Sequence, residues 1–179
     1  MLNSVAPHLD IRLGDIRSLP LEDESIVGYW SLGVIEHFYS GYDEIIQEMA
    51  RVITPGGYLF ITHPYMSLLR NMKVILKLYE YESNINEPEN FYQFALNHHD
   101  TVKSLAGLNF RLYKFSHLAG LKGFKDECPN WIKSPLQNLY NYSGKSRDIR
   151  ALKYLLDRAF NSVSFVCGHS CLLIFRKES

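Results

Sequence analysis

Glu36 and His37 are an adjacent acid and imidazole, three and four residues beyond Gly33. An imidazole titrates near neutral pH, so His37 can accept a proton from a hydroxyl nucleophile with Glu36 beside it. The same pair can instead cap a following helix and order its loop. His63, followed by Pro64 and Tyr65, closes an apolar run; it can face a substrate or serve as a hydrogen-bonded loop histidine. Cys167, His169 and Cys171 alternate, which in a strand puts two thiols and an imidazole on one face. Structural zinc takes its ligands from turns and needs a fourth, and nothing fixes Cys128 or His117 in that place. Packed apolar thiols are therefore the better reading, and no metal is expected. His98-His99-Asp100 precedes a helical pattern, with Asp100 a candidate N-cap.

These residues need a frame. Residues 9–13 alternate apolar and polar, as a short strand would, until Gly14-Asp15 breaks the pattern. Residues 26–34 are nearly all apolar or small, the pattern of a strand buried on both faces. From Asp43 the period turns helical: Ile45, Ile46, Met49, Val52 and Ile53 share one face, and Glu44, Gln47, Glu48 and Arg51 the other. Asp43 stands where an acid can cap, and Thr54-Pro55-Gly56-Gly57 ends the helix before a strand at 58–62. Strand, helix and strand with short joints form a βαβ unit, hence a parallel pair with a right-handed crossover. Beyond it the pattern predicts a helix over 68–79, a polar loop over 82–90 and a helix over 99–106. A strand at 110–115, an irregular stretch over 119–145, a helix over 146–160 and a strand over 163–175 follow. The class is α/β, with a ligand at the carboxyl ends of the parallel strands.

Three runs at the joints carry a resemblance: Gly14-Asp15-Ile16, then Ser31-Leu32-Gly33-Val34-Ile35-Glu36-His37-Phe38, then Ala50-Arg51-Val52-Ile53-Thr54-Pro55-Gly56-Gly57. In this order and spacing, residues 9–64 resemble the middle of a class I S-adenosylmethionine (SAM)-dependent methyltransferase, with looser likeness over 91–110 and in the last strand. The resemblance implies a Rossmann-like methyltransferase sheet, incomplete (the family's strands 3 to 7), with 66–106 as a helical lid within a partial domain over 1–179. It implies SAM as cofactor. Asp15 would accept the adenine amine with Ile16 beside the ring, and Ser31, Leu32 and Gly33 would let backbone approach the sulfonium and the amino-acid tail. Glu36, His63 and Tyr65 would face a small-molecule methyl acceptor, and His37 would be the catalytic base. An ionised Asp is acceptor-only and suits an amine; a carboxylate can also cap a turn after a strand, but the surrounding match favours the adenine role. Phe91, Tyr92 and Phe94 either wall a substrate pocket or pack in the core.

The remaining bounds come from composition. The chain has 179 residues, enough for one domain, and 46% hydrophobic content supplies a core. Lys+Arg 19 against Asp+Glu 19 removes the electrostatic argument for nucleic acid or an acidic membrane as partner. The basic face of the last helix, with Arg147, Arg150, Lys153 and Arg158, reads as solvated. No apolar run of about 20 residues and no signal-peptide pattern occur, and three cysteines suit a reducing cytoplasm. No two glycines are separated by a single residue, so the family's G-x-G turn is not found. The expectation is a truncated or incomplete domain, inactive alone, whose apolar strand at 26–34 exposes an edge that pairs with another copy or a partner chain. The alternative is a non-catalytic interaction protein that uses that edge.

Overall fold

The computed structural model describes residues 10–79, 89, 91–144 and 146–179. The expected βαβ unit is present. Strand β1 (Ile26–Leu32) leads through a 3-10 turn at Ile35–His37 to helix α1 (Asp43–Val52) and strand β2 (Ile53–Pro64), and β1 and β2 pair in parallel. Ile45, Ile46, Met49 and Val52 recur at helical spacing and are all buried, which drives α1 onto the sheet. Asp43 and Glu44 occupy the first turn, where they suit the helix dipole, but Tyr42 holds the N-cap position and Asp43 does not cap.

Thr54-Pro55-Gly56-Gly57 is no separate turn; the chain enters β2 directly from α1 and these residues bulge. Ile26 pairs with Ile53, and the next pair is Gly28 with Tyr58. Gly56 adopts φ +81°, and a Cβ on Gly57 would lie 2.8 Å from the Val27 carbonyl oxygen.

Helix α2 (Leu68–Ile75) is capped by Ser67 and ends four residues before the expected limit. Helix α3 (His98–Ala106) is capped by Asn97, whose side chain accepts from His99 N at 3.1 Å, so Asp100 lies in the first turn instead. Thr101 and Leu105 of α3 are fully buried, which makes this part of the 66–106 segment core. Most of the predicted polar loop lies outside the described residues.

Strand β3 (Phe110–Leu118) is followed by a region expected to be irregular that is in fact helical: α4 (Gly120–Glu127) and α5 (Asn130–Tyr142). Its glycines act by allowing close approach. A Cβ on Gly120 would lie 2.1 Å from Phe160 O, and one on Gly123 1.9 Å from Cys167 O. Helix α6 (Arg147–Ser162) leads to a short helix α7 (Ser164–Cys167) and strand β4 (Ser170–Lys177). The last strand thus starts later than expected, and Cys167 and His169 fall outside it, so the alternating one-face set does not form. Among the described residues no group of three or more His, Cys, Asp or Glu could hold a metal, and no helix is long and apolar enough to cross a membrane.

The sheet order is β1-β2-β4-β3, with β4 antiparallel to both neighbours. Its packed face presents Leu59, Ile61, Cys171, Leu173, Phe175 and Phe110 to α1 and α3. Two expectations fail at its edge. Residues 10–13 form no strand: Leu13 is fully exposed, Arg12 pairs with Asp10, and the nearby bridge among the described residues, Asp15 to Ser18, closes a turn; Leu9 lies outside the described residues. Strand β1 is not buried on both faces either, since Val27 is 71% exposed, Trp30 64% and Leu32 56%. Among the described residues it is an edge strand with nothing over one face.

Candidate functional site

The carboxyl end of β1 carries the densest set of predicted residues. Gly33 takes φ +69° and its N–H donates to Thr62 O at 3.0 Å, so it both extends the parallel ladder and turns the chain out of it. Ser31 and Leu32 point to opposite faces, as neighbours in a strand must: Ser31 is buried towards the core, and Leu32 stands on the bare face. Glu36 is 2% exposed, and burial raises its carboxyl above the usual range. Its Oε2 and the Ser31 Oγ are buried without a hydrogen-bond partner among the described residues. Two unmet polar atoms next to a glycine turn are what a polar ligand at this strand end would satisfy.

The backbone of residues 91–96 lies across the turn. Phe94 N donates to Glu36 O at 2.9 Å, Leu96 N to Pro64 O at 2.9 Å, and Met66 N to Leu96 O at 3.0 Å. Phe91, Phe94 and Tyr39 pack ring on ring, with centroids 4.7–5.5 Å apart. His37 Nδ1 lies 2.6 Å from Tyr92 O. A carbonyl oxygen only accepts, so Nδ1 carries the proton, and in the neutral ring Nε2 is left as the acceptor. His37 is exposed, so that nitrogen is in a position to take a proton from a bound nucleophile. Nothing in the sequence linked Tyr92 to His37, because the contact spans 55 residues.

Asp15 and Ile16 sit in a separate loop. Ile16 packs against the core and lines an open hollow of about 480 Å³ together with Leu19, Pro20, Leu21 and Tyr29. Asp15 lies beside this hollow in a turn, its carboxylate held by Arg17: Arg17 N donates to Oδ1 at 2.9 Å and Arg17 Nη2 to Oδ2 at 2.8 Å. Those bonds lower the Asp15 carboxyl to about 2. The loop is clamped by two α1 residues from the face opposite the apolar one. Glu48 accepts from Leu19 N at 2.6 Å, and Arg51 donates to Asp23, Leu21 O and Leu19 O. The i,i+3 spacing of Glu48 and Arg51 was the available signal for this clamp.

His63 and Tyr65 are not at the surface. His63 is 1% exposed, its Nδ1 2.9 Å from Pro64 O and its Nε2 3.4 Å from Thr101 Oγ1; burial lowers its pKa. The Tyr65 hydroxyl donates to Ser164 O at 2.8 Å and lies 3.0 Å from His117 Nδ1, and burial pushes it up to about 12. Both face inward, where they tie β2 to α3 and α7. The structure therefore brings together Ser31, Gly33, Glu36 and His37, places Asp15 and Ile16 on a neighbouring loop, and draws His63 and Tyr65 into the interior.

A methyltransferase domain family matches residues 2–61, which include the Asp15 turn, the whole Gly33–His37 turn and most of β2. Over this segment the chain is similar to class I SAM-dependent methyltransferases. Two curated relatives are similar over a stretch of comparable length. The chain is 36% identical over 58 residues to a protein named "Probable S-adenosylmethionine-dependent methyltransferase" in Mycolicibacterium smegmatis, covering 32% of this chain and 22% of the relative. It is 39% identical over 56 residues to phthiotriol/phenolphthiotriol dimycocerosates methyltransferase 1 of Mycobacterium ulcerans, covering 31% and 20%. The chain thus matches about a fifth of each relative's length.

Solved structures share the fold over far more of the chain. A SAM-dependent methyltransferase from Methanosarcina mazei superposes with TM-score 0.53 at 16% identity, over 93% of this chain and 66% of its own. Geranyl diphosphate C-methyltransferase from Streptomyces coelicolor, solved with S-adenosyl-L-homocysteine, gives 0.52 at 9% identity, over 93% and 52%. The [4+2]-cyclase SpnF gives 0.53 at 15% identity, over 99% and 58%. The sheet is of the Rossmann-like methyltransferase type, and the family's cofactor is SAM. A cyclase on the same scaffold shows why the fold alone assigns no reaction.

Proposed function

We propose that this methyltransferase chain holds the adenine side and the acceptor side of a site that methylates a small molecule, as part of an incomplete domain. The observation that carries the reading is the Gly33–His37 turn, within the matched segment, at the carboxyl end of a strand in a parallel pair. The residues suit SAM there: Gly33 presents no Cβ, and Ser31 Oγ and Glu36 Oε2 lack partners among the described residues. When bound, SAM supplies an electrophilic methyl on a sulfonium, so positioning does most of the work. The Gly33 turn leaves room for backbone contact, Asp15 offers an acceptor to the adenine amine, and Ile16 packs beside the ring. His37 Nε2 receives the acceptor's proton when that acceptor is a hydroxyl or amine, while Nδ1–H stays on Tyr92 O. Glu36 fixes the turn at the acceptor end. The free cysteines fit a reducing cytoplasm.

Calorimetry tests this directly. Because the sequence has no G-x-G turn for the methionine and ribose moieties, the 179-residue chain is expected to bind SAM weakly or not at all. Micromolar binding by this chain would overturn that expectation and move those contacts to other residues. In a form that supplies a glycine-rich turn, Asp15→Ala is expected to weaken SAM binding roughly tenfold or more, the effect of losing a charged hydrogen-bond partner. An unchanged dissociation constant would leave Asp15 to Arg17 and the turn.

Among the described residues the outer edge of β1 is unpaired, which favours a second reading, a non-catalytic protein that associates through that edge with its own copy or a partner chain. Failure of SAM to bind even the form with a glycine-rich turn would select it.

A further inference from the structure

Asp126, His169 and Lys122 form a chain of polar contacts that the turn at Gly33–His37 does not use. His169 immediately precedes β4, whose Ser170 pairs with Pro64 at the end of β2, and Lys122 and Asp126 stand one turn apart on α4. Lys122 Nζ lies 2.8 Å from His169 Nε2, and Asp126 Oδ2 lies 3.2 Å from His169 Nδ1. An ammonium only donates, so Nε2 accepts, and the proton of the neutral ring sits on Nδ1, facing Asp126. Burial raises the Asp126 carboxyl, but His169 and Lys125 bring it down to about 2, so it stays ionised. The His169 side chain is largely buried and its carbonyl accepts from Arg70 Nη1 at 3.2 Å, which fixes the backbone that carries the ring. Arg70 Nη2 lies 3.4 Å from Nδ1 and, being another donor, makes no bond to it in this tautomer. Lys122 itself is exposed.

We propose that Lys122 is an acylation site whose donor is a small acyl phosphate. Its amine is the nucleophile, His169 is the base, and Asp126 is the positioning residue that orients the imidazole. A nucleophile, a base and an orienting acid within hydrogen-bond reach of one another is the arrangement that activates a weak nucleophile. Among the described residues Lys122 is the one lysine set against an imidazole, whereas Lys73, Lys125, Lys153 and Lys177 face carboxylates. A carboxylate holds an ammonium by its charge; an imidazole takes up a proton near neutral pH. His169 Nε2 first accepts a proton from the Lys122 ammonium. The free amine then forms a C–N bond to the acyl carbon as the C–O bond to phosphate breaks. Phosphate leaves with that electron pair and takes up the second amine proton, and the imidazolium returns its proton to water. Charge selects the donor. Arg70, Lys73, Lys122 and Lys125 gather around Asp126 and Glu127, and the other acid acting on His169 is Glu36, whose carboxyl burial raises. That positive excess draws an anionic donor. The amide formed carries no charge, so acylation removes one cation from this end of the sheet. The proposal stands whether or not the chain methylates.

The full chain is treated with acetyl phosphate, and the initial acetylation rate of each lysine is read by peptide mass spectrometry. Lys77, Lys103, Lys114 and Lys133 are exposed as well and serve as internal references. Lys122 is expected to react at least roughly tenfold faster than these four. Proton transfer inside a pair does not depend on bulk pH, so the Lys122 rate should level off from about pH 7 to about 9 while the reference rates keep rising. His169→Gln is expected to bring Lys122 down to the reference rate and remove the plateau. Asp126→Asn, which keeps an acceptor oxygen without the charge, should lower the plateau without abolishing it. Circular dichroism and unchanged reference rates check that both variants are folded. Reaction of Lys122 at the reference rate, or a rate untouched by both substitutions, overturns the proposal. N-hydroxysuccinimidyl acetate, a neutral donor, should favour Lys122 over the references less than acetyl phosphate does. An equal preference for the two donors would overturn the acyl phosphate assignment.

Discussion

Glu127→Ala is expected to cost about 3–5 kcal/mol of unfolding free energy, read from the urea midpoint at unchanged slope. Glu127 ends α4, where the helix dipole opposes a negative charge, and its side chain is 8% exposed. It is held there by Arg70 Nε at 2.8 Å, Lys73 Nζ at 2.8 Å and the Tyr79 hydroxyl at 2.5 Å. Arg70, itself 8% exposed, also donates to Tyr65 O and His169 O, so one guanidinium joins the end of β2, the start of β4 and α4. Removing the carboxylate leaves that cation buried without its counter-charge, which is why the loss exceeds that of a surface pair. A loss below about 1 kcal/mol would show that water or main-chain carbonyls already compensate Arg70.

The same cluster sets the acid limit of stability. Burial pushes the Glu127 carboxyl up, but Arg70, Lys73 and Tyr79 outweigh it and the net position is below the usual range. Burial also raises Asp126, and His169 and Lys125 bring it down to about 2. Both groups hold protons more weakly folded than unfolded, so the unfolded chain binds more protons as pH falls. Their contribution is complete above the unfolded carboxylate pKa of about 4 and is lost as the pH drops towards 2. Glu127→Ala should flatten its own part of this acid loss.

What the sequence revealed follows from the range of each interaction. The βαβ unit was legible because α1 writes its buried face every third or fourth residue and residues 58–61 of β2 are an unbroken apolar run. The Gly33–His37 turn was legible for the same reason, being local. Arg70–Glu127 and His37–Tyr92 are 57 and 55 residues apart, and no spacing rule reaches that far. The helices after β3 were hidden by Gly120 and Gly123, which read as breakers but serve close packing against Phe160 and Cys167. His63 and Tyr65 were placed at the correct strand end, but which way a side chain turns there depends on α3 and α7 arriving later in the chain. Strand β1 reads as doubly buried because its composition is apolar on both faces. Among the described residues only one of them is covered.

That one-sidedness fixes the last expected result. Phe175→Ala should cost about 3–5 kcal/mol, whereas Trp30→Ala, which removes the larger side chain, should cost about 1 kcal/mol or less. Phe175 is fully buried in β4, with Leu59 and Leu112 beside it on the packed face, so its loss leaves a cavity that the sheet and α1 cannot close. Trp30 lies across the sheet with most of its surface in water, and among the described residues its one ring partner is Phe60. Side-chain size predicts the opposite order, so the comparison separates burial from bulk. Equal losses in urea titrations of the two variants would mean that the bare face is already covered in solution. Trp30 would then carry core energy despite its position on the outer face.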